Sequence, residues 1–394
     1  MPDNFQFLPS VKSNPEPDPL QPHVPTPHPN IWIDDRSHAK PGIWPLPDKL
    51  HVMTVLSNPP RFRSRYNLYR EYAKRVVDSS AILHTCEIAF GQRHHEITEP
   101  GNPHHLQLRT RHEVWHKENA LNVLIQHARR TYPNMRYVAW IDADIHFARP
   151  DWAQETLHQL QHFEIVQMFS HAQDLGPNGE PYGVTRPGFM HSYLNERPNP
   201  HDMPEGWDWA TAGHSVSDGI APMDCYYPTP PPAPGKISWR FTHPGFAWAA
   251  RLSALDKLAI GPYGPLIDFS ILGSGDYHMA CALVNHVEYS LSPEMPGRYR
   301  ELCYQWQGKA EKYIRRNVGC VPGIVNHGWH GKRAARLYDK RWKFLKVSAF
   351  NPDLDLKKDT QGLWQLEDRG ESSITLRDGL RAYARLRSED SLDV

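Results

Sequence analysis

The sequence predicts an α/β fold: a mostly parallel sheet flanked by helices, with a long irregular insertion and a Pro-rich N-terminal arm. Three observations predict it. Short apolar runs, HVMTVLS at 51–57 and YVAWI at 137–141, stop at turn residues, as strands buried on both faces do. Between such runs, apolar residues recur at helical spacing. Strands and helices alternate, which favours parallel pairing through helical crossovers.

The elements follow in order. Residues 1–50 hold twelve prolines and few aliphatics, so they read as an extended arm without a core of its own. His51–Ser57 is the first strand, stopped by Asn58-Pro59-Pro60. Arg65–Val77 is a helix, with Tyr66, Tyr69, Tyr72, Ala73 and Val76 on one face. Ala81–Phe90 and Leu106–Arg109 are the next strands. His112–Arg130 is a long helix, and Tyr137–Ile141 a fourth strand. Trp152–His162 is a helix, and Ile165–Phe169 a fifth strand. Residues 171–240 read as the irregular insertion, rich in Pro and Trp. Regular structure resumes at Gly245–Leu252 and runs to about Phe350. From Asn351 the chain reads as a polar tail with one amphipathic helix at Ile374–Leu386.

Composition bounds the function. Lys plus Arg is 44 and Asp plus Glu is 44, so the net charge is zero, against a polyelectrolyte-type nucleic-acid binder. The charge is uneven, however. Arg61–Arg75 carries six basic residues and one acid, and Lys332–Lys346 seven and one. Five scattered cysteines with no C-x-x-C indicate a reduced protein, not a disulfide scaffold or zinc ribbon. No apolar run approaches the roughly 18 residues of a bilayer span. The N-terminus lacks a secretory signal pattern. The expectation is a soluble, cytoplasmic protein.

Four motifs carry candidate chemistry. His112-Glu113-Val114-Trp115-His116 fits H-E-x-x-H, which on a helix can hold Zn²⁺ between the imidazoles with Glu113 as general base. Its context is poor, because no third ligand follows. Asp142-Ala143-Asp144 ends a strand, where an open α/β sheet places its ligands, and paired carboxylates there suit Mg²⁺ or Mn²⁺. Gly273-Ser274-Gly275-Asp276 puts a carboxylate at the start of an apolar helix, as a cap or as a general base for an acceptor hydroxyl. Asn326-His327-Gly328-Trp329-His330-Gly331-Lys332 follows an apolar run and can close a metal site.

The order of these motifs resembles the GT-A class of nucleotide-sugar glycosyltransferases over about residues 50–346. A strand ends in Asn58-Pro59, and a Lys117-Glu118-Asn119-Ala120-Leu121-Asn122 helix precedes the D-x-D. A Gly-rich Asp276 motif and a late His330-Gly331 follow. The stretches WIDADIHFARPDW and NHGWHGKRAARLYDKR look like glycosyltransferases carried by bacteriophages, some of which glucosylate hydroxymethylated pyrimidines in DNA.

The resemblance implies a GT-A-like, Rossmann-type fold. A nucleotide-sugar-binding half would span 51–170, and an acceptor-binding half 241–350. It implies a divalent cation, Mn²⁺ or Mg²⁺, and UDP-glucose or a similar donor. Asp144 and His330 resemble the metal ligands, with His327 an open alternative to His330. Asp142 would bind ribose or share the metal. Asn58, Glu87, Lys117 and Asn122 would line the nucleotide. Arg61 and Lys332, from the basic clusters, would meet the diphosphate, and Asp276 would activate the acceptor. The acceptor expected is 5-hydroxymethylcytosine in DNA. The same-class alternative is a glycan, lipid or protein, and the other-class alternative is a zinc peptidase on His112, Glu113 and His116. A third reading is a sugar- or DNA-binding module without catalysis.

Overall fold

The apolar run at 51–57 forms β1 (His51–Ser57), and Pro59 and Pro60 prevent its extension. α1 (Arg63–Asp78), β2 (Ile82–Phe90), β3 (His105–Thr110), α2 (Lys117–Thr131) and β4 (Tyr137–Ile141) follow. Next come β5 (Ile145–Phe147), α3 (Trp152–His162), β6 (Ile165–Gln167), β7 (His171–Leu175), β8 (Pro181–Pro187) and α4 (Phe189–Leu194). β9 (Ala247–Arg251), α5 (Leu252–Leu255), α6 (Gly275–Leu283), α7 (Gly297–Tyr313), β10 (Val318–Cys320) and β11 (Ile324–His327) continue the chain. The last elements are α8 (Trp342–Val347), α9 (Pro352–Asp355), β12 (Leu356–Lys358), β13 (Trp364–Leu366) and α10 (Glu371–Leu386). The computed structural model describes residues 48–195, 242–336 and 341–392. The N-terminal arm, the aromatic stretch 207–239 and part of the second basic cluster lie outside these residues.

The main sheet is seven-stranded, in the order β10-β6-β9-β4-β1-β2-β3. Its neighbours are parallel except at β9, which runs antiparallel between β4 and β6. This is the expected α/β class, a mostly parallel sheet flanked by helices. Side-chain alternation gives the sheet two apolar faces. Val52 and Leu56 join Tyr69, Tyr72 and Val76 of α1 on one face. Met53 joins Leu121, Leu124 and Ile125 of α2 on the other, where Tyr299 and Trp306 of α7 are also buried. Burying a side chain as large as Trp306 contributes roughly 4–6 kcal/mol at about 25 cal/mol per Å².

A second sheet, β5-β11-β7-β8, crosses the end of the first. In it His327 stands opposite Asp174 on one side and Ile145 on the other. That register brings three separate segments to one point.

The structure corrects several expectations. The helix expected from His112 begins at Lys117, and His116 is its N-cap. Residues 171–194, expected as part of the irregular insertion, form β7, β8 and α4, and 196–241 lie outside the described residues. Asp276 is not the cap of α6 but lies in its first turn, with Ser274 at the N-cap in the left-handed region (φ 70°). The segment from Asn351 is not a loose polar tail. Leu363, Trp364, Leu376, Leu380 and Tyr383 are buried in the core beside α2 and α6. Leu376, Leu380 and Tyr383 lie on the buried face of α10 (Glu371–Leu386), the amphipathic helix expected at 374–386. Among the described residues, no helix is long and apolar enough to cross a membrane.

Candidate functional site

The strand order reverses between β1 and β4, and a crevice opens there beyond their carboxyl ends. Ser57, Pro59 and Pro60 form one lip of a cleft, and Asp142 and Asp144 its floor. Asp276, Tyr277, His330 and Arg336 also line it, as do Phe246 and His327, whose rings stack at 4.4 Å.

Asp144, His327 and His330 form a three-ligand cluster. Asp144 Oδ2 lies 3.4 Å from His330 Nε2 and 3.7 Å from His327 Nε2. The two Nε2 atoms are 2.9 Å apart. Ligands bonded at about 2.1 Å lie roughly 3.0–3.4 Å from one another, so the triangle is the size of one cation's coordination face. Asp144 Oδ1 is buried and accepts no hydrogen bond. The residues therefore fit a divalent cation, and both histidines belong to the set.

The protonation pattern agrees. Arg336 Nη2 donates to His330 Nε2 at 3.0 Å, and a guanidinium cannot accept. His330 Nε2 therefore presents its lone pair to the cleft. Burial, then Arg336, hold His330 down to about 4, so its imidazole is neutral at pH 7. Burial would lower His327 as well, but Asp144 and Asp174 outweigh it and raise it to about 9. His327 Nδ1 donates to Asp174 Oδ1 at 2.8 Å, which leaves its Nε2–H aimed at His330 and Asp144. Asp144 is held well below the usual carboxylate range; its burial is outweighed by His327, His330 and Arg336. The positive charge of Arg336, 3.0 Å from His330 Nε2, thus lies beside the cluster.

Across the cleft, Lys117 Nζ meets Asp142 Oδ1 at 2.5 Å. Burial would depress Lys117, but Asp142 and Asp276 outweigh it and raise it. Glu118 follows on α2 and is 3% exposed. Burial first, opposed by Lys117 and reinforced by Asp276, lifts its carboxyl to about 8. Gly275 makes room for it, since a Cβ there would come 2.9 Å from the Glu118 carboxyl carbon. Gly245 makes room for Asp276 in the same way. Asp276 Oδ1 accepts the Tyr277 N–H at 2.8 Å, which leaves Oδ2 toward Gly245 and the cleft. Arg341 closes the base of the cleft, bonded to Leu272 O at 2.9 Å and to Ser274 Oγ. Arg387 lies over the Trp115 ring, 5.3 Å from its centroid.

Of the expected site residues, the cleft gathers Asp142, Asp144, Lys117, Asp276 and His330. The others stand elsewhere. Glu87 sits at the end of β2 and accepts from the backbone of Glu96, Ile97 and Thr98, so its charge fixes a loop. Asn58 is spent on both backbone groups of Phe62. Asn122 is buried against Leu266 and Asp268. Arg61 is exposed and pairs with Glu96, and Lys332 is exposed outside the cleft wall. The zinc-peptidase set is not assembled. His116 spends Nε2 on Trp364 O, His112 Nδ1 accepts from Leu366 N, and Glu113 pairs with Arg385. Because α2 starts after them, the histidines do not share a helical face.

Sequence reading misses Asp174, Arg387 and Glu389, and places Arg341 only within the Lys332–Lys346 basic cluster. Glu118 was flagged only as part of a helix motif. Asp174 lay in the stretch expected to be irregular, and Arg387 and Glu389 in the expected tail. None of these three stands in a motif that spacing reveals.

No protein-family model matches the chain, and a search of curated proteins finds no match. Among solved structures, a protein of Desulfovibrio desulfuricans G20 assigned as a nucleotide-diphospho-sugar transferase aligns over 85% of this chain and 98% of its own, at 11% identity and a TM-score of 0.28.

Proposed function

We propose that the chain is a metal-dependent glycosyltransferase that moves a sugar from a nucleotide-sugar donor to a hydroxyl of a second substrate. One observation carries the reading. The Asp144–His327–His330 set faces the Lys117–Asp142 pair and Asp276 in a single cleft at the switch point of the sheet. Two imidazoles in the set favour a transition ion such as Mn²⁺ over Mg²⁺, which takes oxygen ligands and water. When bound, that ion would neutralise charge on the nucleoside-diphosphate leaving group.

The chain's own residues supply the rest. Lys117 and the arginines of the cleft offer positive charge to the diphosphate. Asp142, beside Lys117, is placed to accept hydrogen bonds from ribose hydroxyls. Asp276 takes the proton of the acceptor hydroxyl as the sugar bond forms.

The reading extends to UDP-glucose or a similar donor, and to 5-hydroxymethylcytosine in DNA as acceptor. The resemblance of motif order supports it, together with the exposed Arg63, Arg70, Lys74 and Arg75 along α1, which suit a phosphate backbone. A duplex acceptor would present its base flipped out. The test is a mass-shift assay with Mn²⁺, a panel of nucleotide sugars, and DNA with or without hydroxymethylcytosine. Hexose addition to the modified nucleoside alone supports the full reading. Donor hydrolysis without DNA labelling moves the acceptor to a glycan, lipid or protein. No metal-stimulated donor turnover overturns the transferase.

The donor set favours one reading of another class. Two histidines and one carboxylate also form the face that binds Fe²⁺ in non-haem oxygenases. Dioxygen consumption with Fe²⁺, and none of the transfer above, would select it.

A further inference from the structure

The segment 387–391 is sewn to the candidate metal centre at several points. Glu389 is 1% exposed. Its Oε1 accepts from Arg65 Nη2 and Arg387 Nε, both at 2.6 Å, and its Oε2 accepts from Arg65 Nε. Asp390 caps α1, accepting from Arg63 N at 2.9 Å and Ser64 N at 2.7 Å. Trp329 Nε1 donates to Ser391 O at 2.8 Å. Gly331, at φ +83°, runs so close that a Cβ would lie 2.8 Å from Ser388 O. These contacts hold the His330 loop against the C-terminal segment.

One consequence concerns His330 itself. Glu389 Oε2 lies 3.7 Å from His330 Nδ1, on the far side of the ring from the ligand atom. That is beyond hydrogen-bond length, yet it puts a fixed negative charge beside the nitrogen that must carry the proton. His327 has the matching arrangement, with Asp174 at its Nδ1. A carboxylate behind a ligating imidazole fixes the tautomer and the ring orientation and raises basicity. Burying a carboxylate this deeply is costly unless it is well partnered, and the two arginines partner it.

We propose that Glu389 is the positioning carboxylate of His330, so that the segment 387–391 is a working part of the metal centre. This rests on the metal reading given above. Glu389 touches no substrate and acts through the imidazole.

The test uses the full chain and measures Mn²⁺ affinity by calorimetry and the visible spectrum of the Co²⁺ form. Glu389→Gln should weaken Mn²⁺ binding roughly 10–100-fold and shift the Co²⁺ bands. Asp390→Ala removes both hydrogen bonds that cap α1 without facing His330. It should lower Tm and leave both metal readouts at wild-type values. Should Glu389→Gln fail to fold, Glu389→Asp keeps the charge against the arginines while drawing the carboxylate back, and it too should weaken Mn²⁺. Wild-type affinity and an unchanged Co²⁺ spectrum in a folded Glu389 variant overturn the proposal. So does an equal loss in Asp390→Ala, which would make the segment's role one of folding alone. A wild-type chain that binds neither ion overturns the metal reading itself, and this proposal with it.

Discussion

Asp174 stands opposite His327 in the β7–β11 ladder, and its Oδ1 lies 2.8 Å from His327 Nδ1. The register of two short strands thus fixes which imidazole nitrogen faces the cleft. Asp174 Oδ2 also pairs with Arg186, which is 4% exposed. Asp174→Asn should therefore do two things. Metal affinity should fall roughly 10–100-fold as the imidazole loses its anchor. Stability should fall by about 1–3 kcal/mol as a buried charge loses its partner. Calorimetric titration with Mn²⁺ and urea denaturation read the two effects separately. Unchanged affinity would detach Asp174 from the site.

Asp144 supplies the only carboxylate oxygen of the three-ligand cluster. Asp144→Ala should abolish metal-stimulated turnover, a loss of at least about 100-fold, and weaken binding of the nucleotide sugar. The measurement is donor turnover across a Mn²⁺ series. Full activity in the variant would remove Asp144 from the metal.

Asp276 lies at the opposite wall, held by Tyr277 N at 2.8 Å. Asp276→Asn keeps that contact and removes the base. Transfer should fall about 10²–10⁴-fold, while donor affinity stays near wild type. Comparing kcat with donor Kd checks this. An equal collapse of donor binding would place Asp276 in the donor pocket instead.

How much of this was legible varied with the kind of signal. The apolar runs at 137–141 and 152–162 gave β4 and α3 to the residue, because periodicity and breakers are local. Asp144 was found by its place after a strand. His327 and His330 stand together in one motif, but only the fold brings both beside Asp144. Glu87, Asn58 and Asn122 have polar types suited to a nucleotide, yet each is consumed by nearby backbone, which no spacing reveals. Glu118 and Glu389 are buried acids whose environments come from distant segments. His112-Glu113-Val114-Trp115-His116 failed because the helix it needed, from His112, starts only at Lys117, five residues later.

At the far end of the sheet, His51 Nδ1 lies 3.0 Å from His84 Nε2, and both rings are buried. Burial, then His104, hold His51 down to about 4; burial, then His51, hold His84 down to about 3. Below about pH 6.5 the unfolded chain takes up protons that the folded one refuses. The contribution of this histidine pair to stability should therefore be complete above pH 6.5 and be lost as pH falls toward 4. Denaturation midpoints between pH 7 and 4.5 measure the slope. His84→Leu should flatten it, and an equally steep decline in that variant would place the acid sensitivity elsewhere.

Glu118 works in the opposite direction. Its folded value of about 8, raised chiefly by burial, stands above the 4.5 of an ordinary glutamate. From about pH 4.5 upward the unfolded chain releases a proton that the folded chain keeps. The contribution of Glu118 to stability should therefore fall steadily as pH rises toward 8. Glu118→Gln retains the shape of the protonated acid and has no proton to lose. It should match the wild type near pH 4.5 and exceed it at pH 8, by a few kcal/mol at most. Urea denaturation at both pH values tests the claim. If Gln is no more stable at pH 8 than at pH 4.5 relative to the wild type, Glu118 is ionised in the fold, with Lys117 as its counter-charge.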